Sequence, residues 1–193
     1  MVLVYSLSKS PLIDRRLFAE TQSVLGSRPT RMEDLEGLKY ARMVFEETMR
    51  LYPPGWMLMR EAIEEDEIGG VRIPKGATVM ICAHTMHRKP EYWDNPEGFD
   101  PARFAPERAK AIDSNVYFPF GGGNRTCIGK RFAMMEAPMI LAETARRFRL
   151  ELVTGQEIVP AAMITIRPSE EIRMGLRLRD TVPDERTDLR HVA

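Results

Sequence analysis

The sequence feature that most constrains this chain is a glycine-rich loop at residues 120–129, which reads Phe-Gly-Gly-Gly-Asn-Arg-Thr-Cys-Ile-Gly. Glycine adopts backbone conformations that other residues avoid, and it lets a backbone or a flat ligand approach closely. The loop delivers Cys127 to the start of a helical pattern, where unpaired N–H groups and the helix dipole favour a thiolate over a thiol. We therefore expect loop, sulfur and helix to form one functional unit.

Several chemistries could use this sulfur. A phosphate-binding loop requires Gly-Lys followed by Ser or Thr, whereas Arg131 follows Gly129-Lys130. Zinc needs further ligands at close spacing, and the other soft side chains form no paired motif: Cys82, His84, His87 and His191. A cysteine nucleophile needs a histidine that only the fold can place. The other possibilities are axial ligation of haem iron and a small buried cysteine in a tight turn, and the last explains neither the glycines nor Arg125.

Composition narrows the possible partners and compartment. The chain has 193 residues, in which 28 Lys and Arg balance 28 Asp and Glu, and it has two cysteines. The balanced charge removes the global electrostatic reason to expect nucleic acid or an anionic membrane as a partner. Two cysteines in a chain of this length argue against a disulfide scaffold and for a reducing, cytoplasmic location. The apolar opening, Met1–Leu7, is far shorter than a membrane span of about 20 residues and is typical of a helix end whose beginning is missing.

Three amphipathic helices are predicted. The first begins at Pro11, because proline suits the first turn of a helix, and it stops at Gly26. A capping box of Thr30 and Glu33 leads towards the second helix, about residues 38–51, which must end before the prolines that follow. The third helix carries apolar residues at helical spacing on one face: Ile128, Phe132, Met135, Met139 and Ala142.

Short strands are predicted around these helices. The pair Gly69-Gly70 centres a hairpin, and a β-branched run at residues 78–81 follows a Pro-Lys-Gly turn. Residues 95–106 contain three prolines and are expected to form an ordered meander or a loop. Alternating apolar positions at residues 172–178 predict a half-buried strand, and residues 180–193 have the composition of a polar tail. The predicted fold class is therefore mainly α with small β-sheets.

The second helix carries an acidic residue on its apolar face. Tyr40, Val44, Glu47 and Leu51 stack on one side at 100° per residue, so Glu47 is predicted to point inward. A buried carboxylate needs a cation and further hydrogen-bond donors. Arg50, three residues on, could supply both and bridge Glu47 to carbonyls of the irregular segment, which makes the pair a structural clamp. The alternative is a surface ion pair of little energetic value.

These motifs together resemble the cytochrome P-450 haem-thiolate monooxygenases. The loop is similar to the family's Phe-x-x-Gly-x-Arg-x-Cys-x-Gly pattern, which is matched by Phe120, Gly123, Arg125, Cys127 and Gly129. Residues 47–50 look like its Glu-x-x-Arg helix, residues 96–104 look like its proline-rich meander, and Arg60 looks like the arginine that follows that helix. The resemblance covers about residues 1–179 and implies an incomplete, C-terminal, haem-binding part of that fold, with residues 180–193 as a tail.

The resemblance also implies a role for each matched residue. Cys127 would be the axial ligand of haem b (iron protoporphyrin IX), and Arg60 and Arg125 would pair with its propionates. Phe120 would pack against the porphyrin, Gly123 would be part of the loop, and Gly129 would let the helix pass close by. Glu47, Arg50 and Arg103 would form a buried structural triad that fixes the meander. Substrate contacts would lie near residues 55–58 and 162–164.

The activity implied by the resemblance is insertion of one oxygen atom of O2 into a small apolar organic substrate. Electrons would come from a redox partner, either a ferredoxin or a flavoprotein reductase, which Lys130 and Arg131 could help to dock. The family's proton-delivery motif on a long upstream helix does not occur in this sequence. The alternatives are a non-catalytic haem-binding remnant or sensor, or one half of a split enzyme.

Overall fold

The computed structural model describes residues 2–156 and 158–179, with side chains from residue 5 onward. The α-helices within this part are α1 (Val2–Ser8), α2 (Pro11–Leu25), α3 (Lys39–Leu51), α4 (Ala83–Met86), α5 (Pro106–Ala109) and α6 (Lys130–Arg147). Short 3-10 helices span Met32–Glu36, Pro101–Phe104 and Gly123–Arg125. The strands are β1 (Met57–Glu61), β2 (Asp66–Ile68), β3 (Val71–Ile73), β4 (Thr78–Cys82), β5 (Phe148–Leu152), β6 (Pro160–Ala162), β7 (Ile166–Pro168) and β8 (Met174–Leu178). The predicted fold class, mainly α with small sheets, is confirmed.

The strands pair two by two in antiparallel sheets: β1 with β4, β2 with β3, β5 with β8 and β6 with β7. The predicted hairpin is the β2–β3 pair, in which Gly69 and Gly70 both adopt positive φ angles that favour glycine. In the β1–β4 sheet Arg60 lies opposite Val79. This pairing fixes the position of Arg60 in the sheet, and with it the position of Arg60 relative to the glycine-rich loop.

Helices α2, α3 and α6 pack around a common core. Leu17 of α2 and Val44 of α3 are completely buried, and Leu141 of α6 is nearly so. Within each helix the buried residues recur at helical spacing, so the amphipathic pattern of the sequence accounts for the packing. The first helix begins at Pro11 and stops at Gly26, whose φ of 59° is the left-handed conformation expected of a terminating glycine. Both predicted ends are confirmed.

The predicted capping box at Thr30 is wrong. The 3-10 helix begins one residue later, after Arg31, and the Asp34 carboxylate accepts a hydrogen bond from the Arg31 N–H at 2.7 Å. The Thr30 hydroxyl instead donates to the Glu143 carboxylate on α6, 3.1 Å away. The hydroxyl thus donates to a long-range partner instead of accepting the local Glu33 N–H, because the fold brings α6 beside this turn.

Two predicted apolar faces are exposed in the part of the chain that the structure describes. Ile128 precedes α6 and is fully exposed, and Phe132 is also exposed. Of the predicted face of the third helix, Met135 and Met139 are half-buried and Ala142 is buried. Strand β8 forms as predicted, but Leu176 and Leu178 point into solvent, so it is not half-buried. An amphipathic pattern requires a covering surface, and the described residues supply one only for the central helices.

Candidate functional site

The glycine-rich loop is closed by its own backbone. Gly121 and Gly123 have φ angles of 73° and 64°, a region that L side chains rarely adopt. The Phe118 carbonyl accepts the Gly121 N–H, and the Phe120 carbonyl accepts the Cys127 N–H at 2.9 Å. The glycines are thus required by the turn itself, and the turn holds Cys127 on the surface with its side chain exposed.

Cys127 lies slightly outside the helix that follows. Helix α6 begins at Lys130 with Gly129 as its N-cap, so Cys127 precedes the N-cap by two residues and the expectation that it starts the helix is corrected. The Cys127 carbonyl accepts the Lys130 N–H at 3.2 Å, which ties the loop to the helix. A Cβ atom added at Gly129 would lie 3.7 Å from the cysteine sulfur, an ordinary contact. Because Gly129 has no side chain, the space beside the Cys127 sulfur stays open.

Two clefts border the loop. One has a volume of about 330 Å³, and its lining includes Leu58, Arg60, Ile81, Phe118, Gly122 and Gly123. The other has a volume of about 460 Å³, and its lining includes Arg42, Glu46, Phe120, Gly123, Lys130 and Met134. Three residues predicted from the sequence therefore line these clefts. Phe120 and Gly123 belong to the loop itself, whereas Arg60 comes from a strand more than fifty residues earlier.

The two predicted propionate ligands differ in their present contacts. Arg60 is exposed, and its Nη1 donates to the neighbouring Met59 carbonyl at 2.8 Å. Arg125 lies on the Gly123–Arg125 turn with an exposed side chain, and it makes no hydrogen bond or ion pair with the residues that the structure describes. Both guanidinium groups are available to an anion, since a single carbonyl contact is easily exchanged.

Behind the loop, Glu47 and Arg50 form a completely buried pair on α3. Arg50 Nε donates to Glu47 Oε2 at 2.7 Å, Nη2 donates to Oε1 at 2.9 Å, and both side chains have 0% exposure. Arg103 Nε approaches Glu47 Oε1 at 3.5 Å, and the Asp100 N–H donates to the same oxygen at 2.8 Å. Both arginines of the predicted triad thus lie at the Glu47 carboxylate, and the Glu47–Arg50 pair has the helical spacing that the sequence suggested.

The remaining donors of Arg50 hold irregular backbone. Its Nη1 donates to the His87 and Pro96 carbonyls at 2.8 and 2.7 Å, and its Nη2 donates to the Gly98 carbonyl at 3.0 Å. Arg103 adds a bond from Nη2 to the Asn95 carbonyl at 2.9 Å. A loop of this kind cannot pair its carbonyls with a sheet, so the two arginines satisfy them and fix its path.

Sequence reasoning missed His87, which it considered only as a weak metal ligand. The ring is completely buried, its Nε2 accepts the Phe118 N–H at 3.0 Å, and its Nδ1 lies 3.2 Å from the Arg50 carbonyl. Burial, opposed in part by the bond to the Arg50 carbonyl, lowers the pKa of His87 to about 4. No local pattern signals this contact, because Phe118 lies thirty-one residues away.

A second, partly buried clamp on α6 was also missed, although its sequence signal was present. Glu143 and Arg146 repeat the Glu-Thr-x-Arg sequence of residues 47–50. Arg146 Nη2 donates to Glu143 Oε1 at 2.6 Å, and its Nη1 donates to the Ser27 carbonyl at 2.8 Å. Burial opposes ionisation of Glu143, but hydrogen bonds from Arg146, Arg147 and Thr30 outweigh it and lower its pKa to about 2.

Comparison with known proteins places the chain in a family. The profile of the family described as Cytochrome P450 matches residues 1–173. The chain belongs to the cytochrome P450 family. This confirms the resemblance based on the cysteine loop, the Glu-x-x-Arg helix and the meander.

Curated P450 relatives match most of the chain. Cyclooctatin synthase of Streptomyces melanosporofaciens is 40% identical over 84% of this chain and 35% of its own length. Lithocholate 6-beta-hydroxylase of Mesocricetus auratus is 37% identical over 93% of this chain and 36% of its own length. Pentalenene oxygenase of Streptomyces avermitilis is 32% identical over 92% and 39%, respectively. The chain therefore spans little more than a third of the length of the curated relatives that it matches.

A search of the described helices for membrane spans found none with the length and apolar character needed to cross a bilayer.

Proposed function

We propose that residues 1–179 are the haem-binding portion of a P450 monooxygenase and that Cys127 is the axial thiolate ligand. The observation that carries the proposal is the loop geometry: an exposed sulfur stands beside backbone that has no side chains in the way. A Cβ atom at Gly122 or Gly123 would meet only open space, which leaves room for a flat ligand to approach this side of the loop. The family is generally haem-thiolate, which agrees with this donor set.

The proposed roles of the surrounding residues follow from their positions. Arg60 borders the 330 Å³ cleft beside the loop, and Arg125 lies within the loop, so both can pair with carboxylates of the ring. Phe120 supplies an aromatic face, and its carbonyl holds the Cys127 N–H. When bound, the haem supplies oxygen activation, which a thiolate ligand favours by donating electron density. Glu47, Arg50 and Arg103 hold the meander behind the loop and take no part in chemistry.

An apolar substrate agrees with the exposed apolar side chains of this chain. Ile128 and Ile164 are almost completely exposed, and Ile81 and Met163 are also exposed. Relatives are named for cyclooctat-9-en-7-ol, lithocholate and pentalenene, which are organic molecules with large apolar frameworks. We propose that this chain contributes one apolar wall, near residues 55–58 and 162–164, to a site for such a molecule and O2.

Lys130 and Arg131 are our candidates for the contact with an electron donor. Both are exposed at the start of α6, next to the loop, and Lys130 also borders the 460 Å³ cleft. An acidic ferredoxin or flavoprotein reductase would be attracted to this position by charge complementarity. The expected cytoplasmic location stays a prediction.

The alternative expected from the sequence is a haem-binding remnant or sensor, or one half of a split enzyme. Spectroscopy and turnover separate these cases, because binding needs only the ligand and its pocket, whereas oxidation also needs proton and electron delivery.

The deciding experiment is the absorption spectrum of the purified chain, reconstituted with haem, reduced and exposed to carbon monoxide. We expect the red-shifted Soret band of a thiolate-ligated carbonyl complex in the unsubstituted chain and in the control Cys82→Ser, and its loss in Cys127→Ser. Absence of the band from the unsubstituted chain would exclude the proposal, and its survival in Cys127→Ser would remove Cys127 from the role. A band without oxidation of an apolar probe would favour the second candidate.

A further inference from the structure

His87 joins the buried clamp to the cysteine loop through both of its ring nitrogens. The Phe118 N–H can only donate, so the Nε2 atom that it contacts at 3.0 Å must carry a lone pair. The Arg50 carbonyl can only accept, so the Nδ1 atom at 3.2 Å must carry the proton. The two backbone groups therefore select a neutral ring with its proton on Nδ1.

The contact between His87 and α3 is reciprocal. The His87 ring donates to the Arg50 carbonyl, and the Arg50 side chain donates to the His87 carbonyl at 2.8 Å. The ring also packs 5.3 Å from the ring centroids of both Tyr117 and Phe118. Hydrogen bonds at its ring and at its carbonyl therefore fix His87 against Arg50. The same ring fixes the position of the Phe118 N–H.

Phe118 leads directly into the loop. Its carbonyl accepts the Gly121 N–H at 2.9 Å, and two residues later the Phe120 carbonyl accepts the Cys127 N–H at 2.9 Å. Phe118 also lines both clefts beside the loop. A continuous series of hydrogen bonds thus runs from the Glu47–Arg50 pair through His87 to the backbone that presents the sulfur.

We propose that His87 is a positioning residue for the cysteine ligand: as a neutral Nδ1–H imidazole it fixes the entrance of the loop through the Phe118 N–H. This inference rests on the proposed function, because positioning of the loop matters for ligation only if the Cys127 sulfur binds the haem iron. It adds to the clamp of Glu47, Arg50 and Arg103 a residue that would touch neither iron nor porphyrin.

The surroundings of the ring favour its neutral form. Arg50 on α3 and Arg88 just after α4 place positive charge near it, and a proton on His84 of α4 would add more. The carboxylate of the clamp, Glu47, is already occupied by arginine donors. Tyr117 packs on the ring and donates its hydroxyl to the Glu46 carbonyl, so it offers the imidazole no charge. A protonated ring would lose the acceptor that Phe118 requires.

The first test reads the proton directly. The chain contains three histidines, so uniform ¹⁵N-histidine labelling with His84→Gln and His191→Gln variants assigns the His87 resonances. We expect Nδ1 to be protonated and Nε2 unprotonated near neutral pH, the tautomer that is less common in water. A proton on Nε2 would overturn the inference, whether or not any His87 variant folds.

The second test reads the cysteine. His87→Phe keeps a ring and removes both hydrogen bonds, so we expect haem affinity to fall roughly tenfold, as for other outer-shell partners of a metal ligand, and the thiolate carbonyl band to weaken. His87→Gln carries one donor and one acceptor and should recover most of both losses. His84→Phe, at the half-buried histidine three residues earlier, is the matched control and should match the unsubstituted chain.

The outcomes separate this inference from the proposed function. If the unsubstituted chain forms no thiolate carbonyl complex, the proposed function fails, and the inference fails with it even if the ¹⁵N measurement finds the expected tautomer. If the complex forms but His87→Phe binds haem and gives the carbonyl band as the unsubstituted chain does, the inference is overturned and the assignment of Cys127 stands. Equal losses in His87→Phe and His87→Gln would also overturn it, because loss of packing alone would then explain the effect.

Discussion

The two Glu-Thr-x-Arg segments of this chain have the same local design and different surroundings. Residues 47–50 lie on α3 and residues 143–146 lie on α6. In each segment the arginine donates hydrogen bonds to the glutamate carboxylate from Nε and Nη2. Spacing of three residues places both side chains on one face of a helix, so the pair forms wherever the helix forms. The contribution of the pair to stability depends on how deeply it is buried and on which other groups it binds.

The surroundings differ in burial and in the backbone that is held. Glu47 and Arg50 have no exposed side-chain surface, and Arg50 binds three carbonyls of the segments that support the cysteine loop. Glu143 retains 30% exposure, and Arg146, which is 1% exposed, binds one carbonyl of the turn after α2. The first clamp therefore has no solvent to replace a lost partner, whereas the second has water on its acidic side.

The largest effect is expected from Glu47→Ala. The substitution leaves Arg50 and Arg103 buried without their anion, so the free energy of unfolding should fall by roughly 3–5 kcal/mol, measured by urea denaturation. Glu46→Ala is the matched control, because Glu46 pairs only with the mostly exposed Arg42 and should cost about 0–1 kcal/mol. Equal costs for the two variants would show that Glu47 is in effect a surface residue.

A smaller loss is expected from Glu143→Ala. Arg146 would keep its bond to the Ser27 carbonyl, and water could enter where the carboxylate was, so we expect a loss of about 1–3 kcal/mol in the same assay. Glu136→Ala, at an exposed position of α6, is the control and should be nearly neutral. A loss as large as that of Glu47→Ala would mean that burial does not separate the clamps.

Mild acid should affect the first clamp before the second. The pKa of His87 is lowered to about 4 from an ordinary value of 6.5, so its contribution to stability is complete above about pH 6.5 and is lost as the pH falls to about 4. The slope in this window can reach about 1.4 kcal/mol per pH unit for one group. Glu143, with a pKa of about 2, loses its contribution only between about pH 4.5 and 2.

This prediction is checked by urea denaturation at a series of pH values. His87→Gln should flatten the slope between about pH 6.5 and 4. Burial also lowers the pKa of His84, so His84→Gln is measured alongside it to separate the two contributions. An unchanged slope in His87→Gln would show that His87 is not the group that titrates.

The smallest effect is expected from Arg147→Ala. Arg147 Nε donates to Glu143 Oε1 at 2.6 Å, but its side chain is 39% exposed and Arg146 remains on the same carboxylate. We expect a loss of about 0.2–1 kcal/mol that shrinks further at high salt. A loss above that of Glu143→Ala would contradict the assignment of Arg146 as the main partner.

Local features of the fold were predictable because their causes are local. Pro11 and Gly26 delimit α2, Gly69 and Gly70 make the β2–β3 turn, and the prolines after Leu51 end α3. Thr30 shows the limit, since its hydroxyl could accept a local N–H or donate to a distant carboxylate, and the carboxylate on α6 prevailed. The exposed Leu176 and Leu178 show it again, because a pattern of alternation does not say whether a partner surface is present.

The sequence by itself determined the composition of the site: a cysteine after a run of glycines, a glutamate and an arginine three residues apart, and the family to which these motifs belong. Only the tertiary structure decided that Arg60 would border the loop from a distant strand, that Arg50 would bind carbonyls before and within the meander, and that His87 would meet Phe118. Turns and helix faces depend on backbone geometry within a few residues, whereas the partner of a buried polar group is whichever unsatisfied donor or acceptor packing brings within 3 Å.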